Sequence, residues 1–241
     1  MAAEMYQIST LQALAKGDFY GNATIGELLT KGDIGLGTFE AVDGEMIVLD
    51  GKCYRAKADG TVSVAADSDG TPFASITFLN REILFEVENI NNMNELLAKL
   101  DEAAKANGVN NIYACRIDGY FPAVYARSEK KQKSEPYKTF AKVLETDQRE
   151  FNFQNVSGSL VCVYFPKYMD NVNVAGWHVH FISDDRTKGG HVFNCVIKEG
   201  TAAMCKTSGF TFLIPDSEYF QKLKLTDVSK EEIESVEKAG N

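Results

Sequence analysis

The chain has 241 residues, 44% of them hydrophobic, and 34 acidic against 25 basic side chains give it a net charge of −9. That length and apolar content suffice for a sizeable core in one large or two small domains, which argues against disorder over most of the chain. The negative charge argues against nucleic acid or an anionic membrane surface as a partner.

In chain order, residues 8–16 (ISTLQALAK) place Ser9 or Thr10 ahead of a short helical spacing. TIGELLTKG at 24–32 does the same with Thr24 as cap and Gly32 as stop, and GDFYGN between them reads as a turn. From Ile34 to Ala66 short apolar runs are punctuated by Asp-Gly pairs at 43–44, 50–51 and 59–60, the pattern of a meander of hairpins. PFASITFL at 72–79 continues the strands. The clearest helix lies at 91–108, with Met93, Leu96, Leu97 and Leu100 on one stripe and Gly108 as terminator.

NIYACRIDGYFPAVYARS at 111–128 then reads as a long strand or hairpin. The charged stretch EKKQKSEPYK at 129–138, which contains Pro136, is the candidate linker, dividing residues 1–135 from a β-rich, metal-binding part at 136–241. A helix around 139–150, strand-like segments near 159–165, 176–183, 190–198 and 209–214, and an acidic helical tail from about 227 to 238 complete the reading. No run approaches 18 consecutive apolar residues, and Met1 to Gln7 lacks a basic region followed by an apolar core. Neither a transmembrane helix nor a signal peptide is expected, so the location reads as cytoplasmic, with a secreted parent trimmed before this numbering left open. The five cysteines (Cys53, Cys115, Cys162, Cys195, Cys205) are odd in number, widely spaced and without a CxxC pair, which argues against a disulfide framework or a four-thiolate zinc site. They read as reduced, mostly buried thiols.

All three histidines fall in GWHVHFISDDRTKGGHVFNC, residues 176–195. Residues two apart on a strand share a face, so His178 and His180 project together while Trp177, Val179 and Phe181 face the apolar side. SDDRTKGG supplies turn residues. A four-residue loop at 184–187 pairs position 183 with 188 and therefore His180 with His191, whose Cβ atoms would lie about 4.5–5.5 Å apart. Three converging imidazoles match the ligand count of a catalytic zinc site that keeps a coordination position open. Zinc is the first choice of metal, with iron, manganese or nickel remaining. The plainer reading is of ordinary polar residues on a sheet. Cys195 shares the parity of His191 and is a further candidate ligand, while Gly189 and Gly190 read as loop residues that let His191 approach. Asp184 and Asp185 read as turn formers, with a second possibility that one orients a ligand imidazole.

Residues 6–56 resemble the opening of the alpha-acetolactate decarboxylase family, with ST..AL..G, T..EL, GD.GLGTF and DGE...LDG in the family's order. RIDGYFPAVYARS and the GWH.HF.S.D...GGH block are similar to the same family, so the resemblance runs over most of the chain. It implies an α/β (α+β) fold in two parts, an N-terminal mixed sheet with helices and a C-terminal barrel-like sheet carrying the metal site, usually associated as a homodimer. It also implies a zinc-dependent carboxy-lyase of acetoin and butanediol formation, free of organic cofactors, that converts acetolactate to acetoin and carbon dioxide. The family's metal ligands fall on His178, His180 and His191, its active-site arginine on Arg127 in YARS and its first glutamate on Glu45 in DGE. The second glutamate falls on Glu237 in SVEK, with Glu231, Glu232 and Glu234 as close neighbours.

The chemistry stands beside that likeness. Loss of carbon dioxide from a 2-hydroxy-3-keto acid leaves electrons that a neighbouring carbonyl accepts, and a Lewis acid stabilises that charge. Arg127 suits the planar carboxylate, and Glu45 and Glu237 are the candidates for returning a proton. Read from the residues alone, Glu45 is equally an exposed hairpin residue, Arg127 the start of a charged linker and Glu237 part of a solvated helix. Two other functions fit the motif: a cupin-like metal dioxygenase or isomerase, and a non-catalytic metal-stabilised binding module.

Overall fold

The computed structural model describes residues 3–133 and 135–225. Strand β1 (Ala3–Ile8) leads into helix α1 (Leu11–Ala15), which starts where Ala13 N donates to the Thr10 hydroxyl at 3.1 Å. After β2 (Ala23–Thr24), helix α2 (Ile25–Leu29) opens on a reciprocal cap between Thr24 and Glu27. The expected meander is present as β3 (Ile34–Thr38), β4 (Glu45–Leu49), β5 (Lys52–Ala56) and β6 (Val62–Val64), paired antiparallel in sequence order. Its turns fall at the three Asp-Gly pairs. Next come β7 (Gly70–Thr71), β8 (Ala74–Thr77), β9 (Ile83–Ile90) and helix α3 (Met93–Asn107), which is capped by Asn92 and ends at Gly108. The chain continues through β10 (Ile112–Glu129), α4 (Phe140–Asp147), β11 (Gln148–Phe165), β12 (Gly176–Ser183), β13 (Gly189–Leu213) and α5 (Glu218–Lys222).

Several boundaries depart from the sequence expectation. The stretch at 111–128 is one strand and not a hairpin, and its ladder to β13 skips Phe121 and Pro122, where proline has no N–H to give. The segments near 190–198 and 209–214 belong to a single 25-residue strand. β1 and β9 form without having been anticipated. Glu129, assigned to the linker, is the last residue of β10 and is buried. The acidic tail at 227–238 lies outside the described residues.

Eleven strands make one sheet in the order β10-β11-β12-β13-β1-β8-β3-β4-β5-β6, with β9 on β13. β10 pairs with both β11 and β13, which closes β10 to β13 into a small barrel. Gly119 meets Gly158 on one side and Gly200 on the other. A Cβ at Gly158 would stand 2.7 Å from the Phe181 ring, so glycine there lets the sheet curl around that side chain. The fold is thus mixed α and β, mostly strands with a few helices. The 135/136 position lies between β10 and α4, so strands from both sides of it share the sheet.

Alternating side chains divide the burial. Val179, Phe181, Val192, Cys195, Cys115 and Cys162 join a core that also holds Leu96 and Leu100 of α3. The other face of β12 and β13 turns towards β4, where a second core gathers Ile47, Val161, Val163 and Ile182. The site forms on that second face.

Candidate metal centre

β12 and β13 meet through the turn at 184–187: Ser183 N donates to Lys188 O at 2.9 Å, and His180 stands directly opposite His191. His178, two residues along β12, points the same way. The three ring nitrogens offered as ligands all lie within 4.8 Å of one another, and all three residues are buried. His178 Nε2 is 3.0 Å from His180 Nε2 and 3.0 Å from His191 Nδ1. Ligands of a tetrahedral zinc would be separated by about 3.3 Å, which two of the three separations approach, and the group as a whole can hold a metal ion.

Tautomer geometry adds to the fit. His180 Nδ1 sits 2.8 Å from the Met46 carbonyl oxygen, and only an N–H can face that acceptor. The lone pair is therefore on Nε2, turned towards the other two rings. Burial first, then the charge of Arg127, brings the His180 pKa down to about 3, with the Met46 bond opposing. Burial, His180 and Arg127 hold His178 well below the usual imidazole range. Neutral imidazoles are the form a metal needs.

Around the triad lie Leu11, Leu14, Gly37, Thr38, Glu45, Phe73, Arg127 and Phe140, leaving a cavity of about 20 Å³, room for one water or ion. Glu45, the first residue of β4, is buried and places Oε2 3.4 Å from His180 Nε2. Arg127 is the register partner of His191 across β10 and β13 and is only 2% exposed. Gly190 has φ +152°, and a Cβ there would stand 2.6 Å from the Arg127 carbonyl oxygen. Glycine thus permits the close approach of His191 to β10, though it lies within β13 and not in the loop.

The structure brings His178, His180, His191, Glu45 and Arg127 to one cavity. Glu237 lies outside the described residues. Cys195 is not with them. The β10–β13 ladder shifts register between Tyr125 and Ala126, where Phe193 is the extra residue, and this bulge reverses parity so that Cys195 shares the core face of Val192. Asp185 closes the turn, accepting from the Ser183 hydroxyl and from Thr187 N, which pulls its pKa down to about 2. The five cysteines are buried and free, and burial pushes Cys53 and Cys195 up to about 12.

The sequence model described as alpha-acetolactate decarboxylase matches residues 5–227. The chain belongs to that family. A relative named alpha-acetolactate decarboxylase from Methanosarcina mazei is 39% identical over 234 residues, 97% of this chain and 80% of the relative. One of the same name from Brevibacillus brevis is 35% identical over 97% of this chain and 80% of its own length. The crystal structure of alpha-acetolactate decarboxylase from Bacillus subtilis strain 168 superposes with a TM-score of 0.92 at 32% identity, covering 98% of this chain and 100% of that one.

Sequence reasoning missed four parts of this site: the Met46 carbonyl, Thr38, the apolar wall of Leu11, Leu14, Phe73 and Phe140, and Glu129 beside Arg127. Thr38 and Leu14 lay inside the quoted GD.GLGTF and ST..AL..G motifs, and Glu129 carried the signal of its i+2 spacing from Arg127 on a strand.

Proposed function

We propose that this chain decarboxylates 2-acetolactate to acetoin and carbon dioxide, with zinc held by His178, His180 and His191. The observation that carries the reading is the convergence of three buried imidazoles, a buried arginine and a buried glutamate around one small cavity in a member of this family. A bound divalent metal supplies Lewis acidity that stabilises charge developing on the substrate's oxygens. Three nitrogen ligands with room for one more group favour a catalytic metal site over a closed structural one.

Arg127 takes the substrate carboxylate through its planar fork, which orients the bond to be broken. When that C–C bond breaks, its electron pair stays on the former C2 and spreads to the adjacent carbonyl oxygen. A proton delivered to C2 from one face then gives acetoin. Glu45, desolvated and beside His180, is the first candidate to hold that proton, and Glu237 is the second on the strength of the family likeness. Burial excludes bulk water from the carbanion-like centre. A cytoplasmic location and a homodimer belong to the same proposal and are open to fractionation and sedimentation.

The test is to mix metal-replete protein with racemic acetolactate and follow acetoin and carbon dioxide without oxygen, with and without a chelator. Formation of acetoin that chelation abolishes and zinc restores is expected. Metal-replete protein that forms no acetoin, or chelated protein that keeps its full rate, refutes the reading.

A further inference from the structure

A buried guanidinium is useful to a substrate only if its plane is fixed before the substrate arrives. Arg127 and Glu129 project from the same face of β10, and across the β10–β11 ladder Glu129 stands opposite Gln148 and Arg127 opposite Glu150. Glu129 is 1% exposed, and its Oε1 lies 3.7 Å from Arg127 Nε. Arg127 Nη1 donates to Gln148 Oε1 at 3.2 Å, while Gln148 Nε2 donates to Glu150 Oε1 at 2.9 Å. Glu150 therefore fixes which end of the amide faces Arg127, since the reversed amide would set its NH₂ against a cation.

One anchor would leave the guanidinium free to turn about that contact. The Gln148 hydrogen bond on Nη1 and the buried Glu129 charge beside Nε, an ion pair at 3.7 Å that lies beyond hydrogen-bond length, together bias its plane. The main-chain ladder holds β10 to β11 from Tyr113 through Glu129, so these side chains are not needed to keep the strands together.

We infer that Glu129 and Gln148 are positioning residues that set the plane of the Arg127 guanidinium towards the metal cavity and so govern the site's affinity for the substrate carboxylate. The inference rests on the reading of Arg127 as the carboxylate's partner. Neither residue touches substrate, and both act through Arg127. Glu129→Gln removes the charge at constant shape, and Gln148→Ala removes the acceptor on a half-buried side chain.

The experiment measures bound metal, KM and kcat for acetolactate, and inhibition by 2-hydroxyisobutyrate, which has a carboxylate, and by acetoin, which has none. Both variants should retain stoichiometric metal, raise KM and weaken 2-hydroxyisobutyrate on the order of tenfold, and leave acetoin inhibition unchanged. Glu129→Asp, which keeps the charge, should recover part of the loss. In an Arg127→Ala background neither change should have a further effect, because residues acting through one group are not additive. Metal-replete Glu129→Gln and Gln148→Ala with normal KM, equal weakening of both inhibitors, or full additivity with Arg127→Ala would each overturn the inference. If Arg127→Ala itself binds 2-hydroxyisobutyrate normally, the fault lies in the reading of Arg127. Should Glu129→Gln fail to fold, Gln148→Ala decides by the same measurements.

Discussion

The two faces of the β12–β13 hairpin are equally buried and energetically opposite. On one, Val179, Phe181, Val192 and Cys195 pack into the barrel core, and apolar burial there stabilises the fold. On the other, His178, His180 and His191 are stripped of water beside the fixed charge of Arg127, and the depressed proton affinities of His178 and His180 record the cost. Strand alternation lets one ribbon carry both, so a site can be set into the middle of a fold without interrupting its core. The difference also teaches that burial of the histidine face costs free energy that burial of the apolar face does not.

The strongest way to break that comparison is His180→Ala. We expect loss of bound metal and a fall in turnover of at least about 10³-fold, since a ligand acts as part of a unit. Compared with metal-free wild type, the variant should lose no more than about 1–3 kcal/mol, the cost of leaving the Met46 carbonyl without its donor, because removal of a desolvated imidazole offsets the rest. A variant that keeps metal and rate, or that unfolds relative to the metal-free parent, would mean that the polar face serves the fold instead.

Phe181→Ala strikes the neighbouring position on the opposite face. The ring lies 5.2 Å from Phe121 and 6.2 Å from Phe153 by centroid, and it covers Gly158. Removing it should cost about 3–5 kcal/mol in denaturant unfolding. The folded fraction should still hold metal and turn over within about threefold of the parent, as expected of a change confined to packing. Near-normal stability with abolished turnover would show that the two faces are not separable.

Much of this division was legible in the sequence because it depends on rules of period two. The HxH spacing and the four-residue loop at 184–187 together predict a register that places His180 opposite His191. Arg127 and Glu45 entered through family likeness, since an arginine ahead of EKKQK and a glutamate after Asp-Gly look exposed. What defeated the reading was non-local. The Phe193 bulge reverses parity at Cys195 without a glycine to mark it. Gly200 and the small residues after it look like a break, yet that stretch of β13 is held by β10 on one side and β9 on the other. Glu129 reads as the start of a linker until β11 is laid beside β10.

Asp18 offers the smallest effect and tests whether buried charge outside the hairpin follows the same rule. It is 1% exposed at the end of the turn after α1, and among the described residues no well-aligned hydrogen bond reaches its two oxygens. Burial raises its carboxyl pKa to about 6, and the nearby Asn22 side chain and Tyr20 backbone offset this only in part. With the folded value above the unfolded value of 3.8, the native state holds the proton more tightly. Its contribution is then most favourable below about pH 4 and is lost as pH rises through about 6. Asp18→Asn mimics the protonated form. It should therefore raise stability by about 1–2 kcal/mol at pH 7.5, after allowance for partial screening, and by far less at pH 4. Urea midpoints at the two pH values measure the difference directly. Equal effects at both would assign Asp18 a role independent of its charge, and destabilisation at pH 7.5 would mean that this carboxylate, unlike the histidine face, is stabilised by its surroundings.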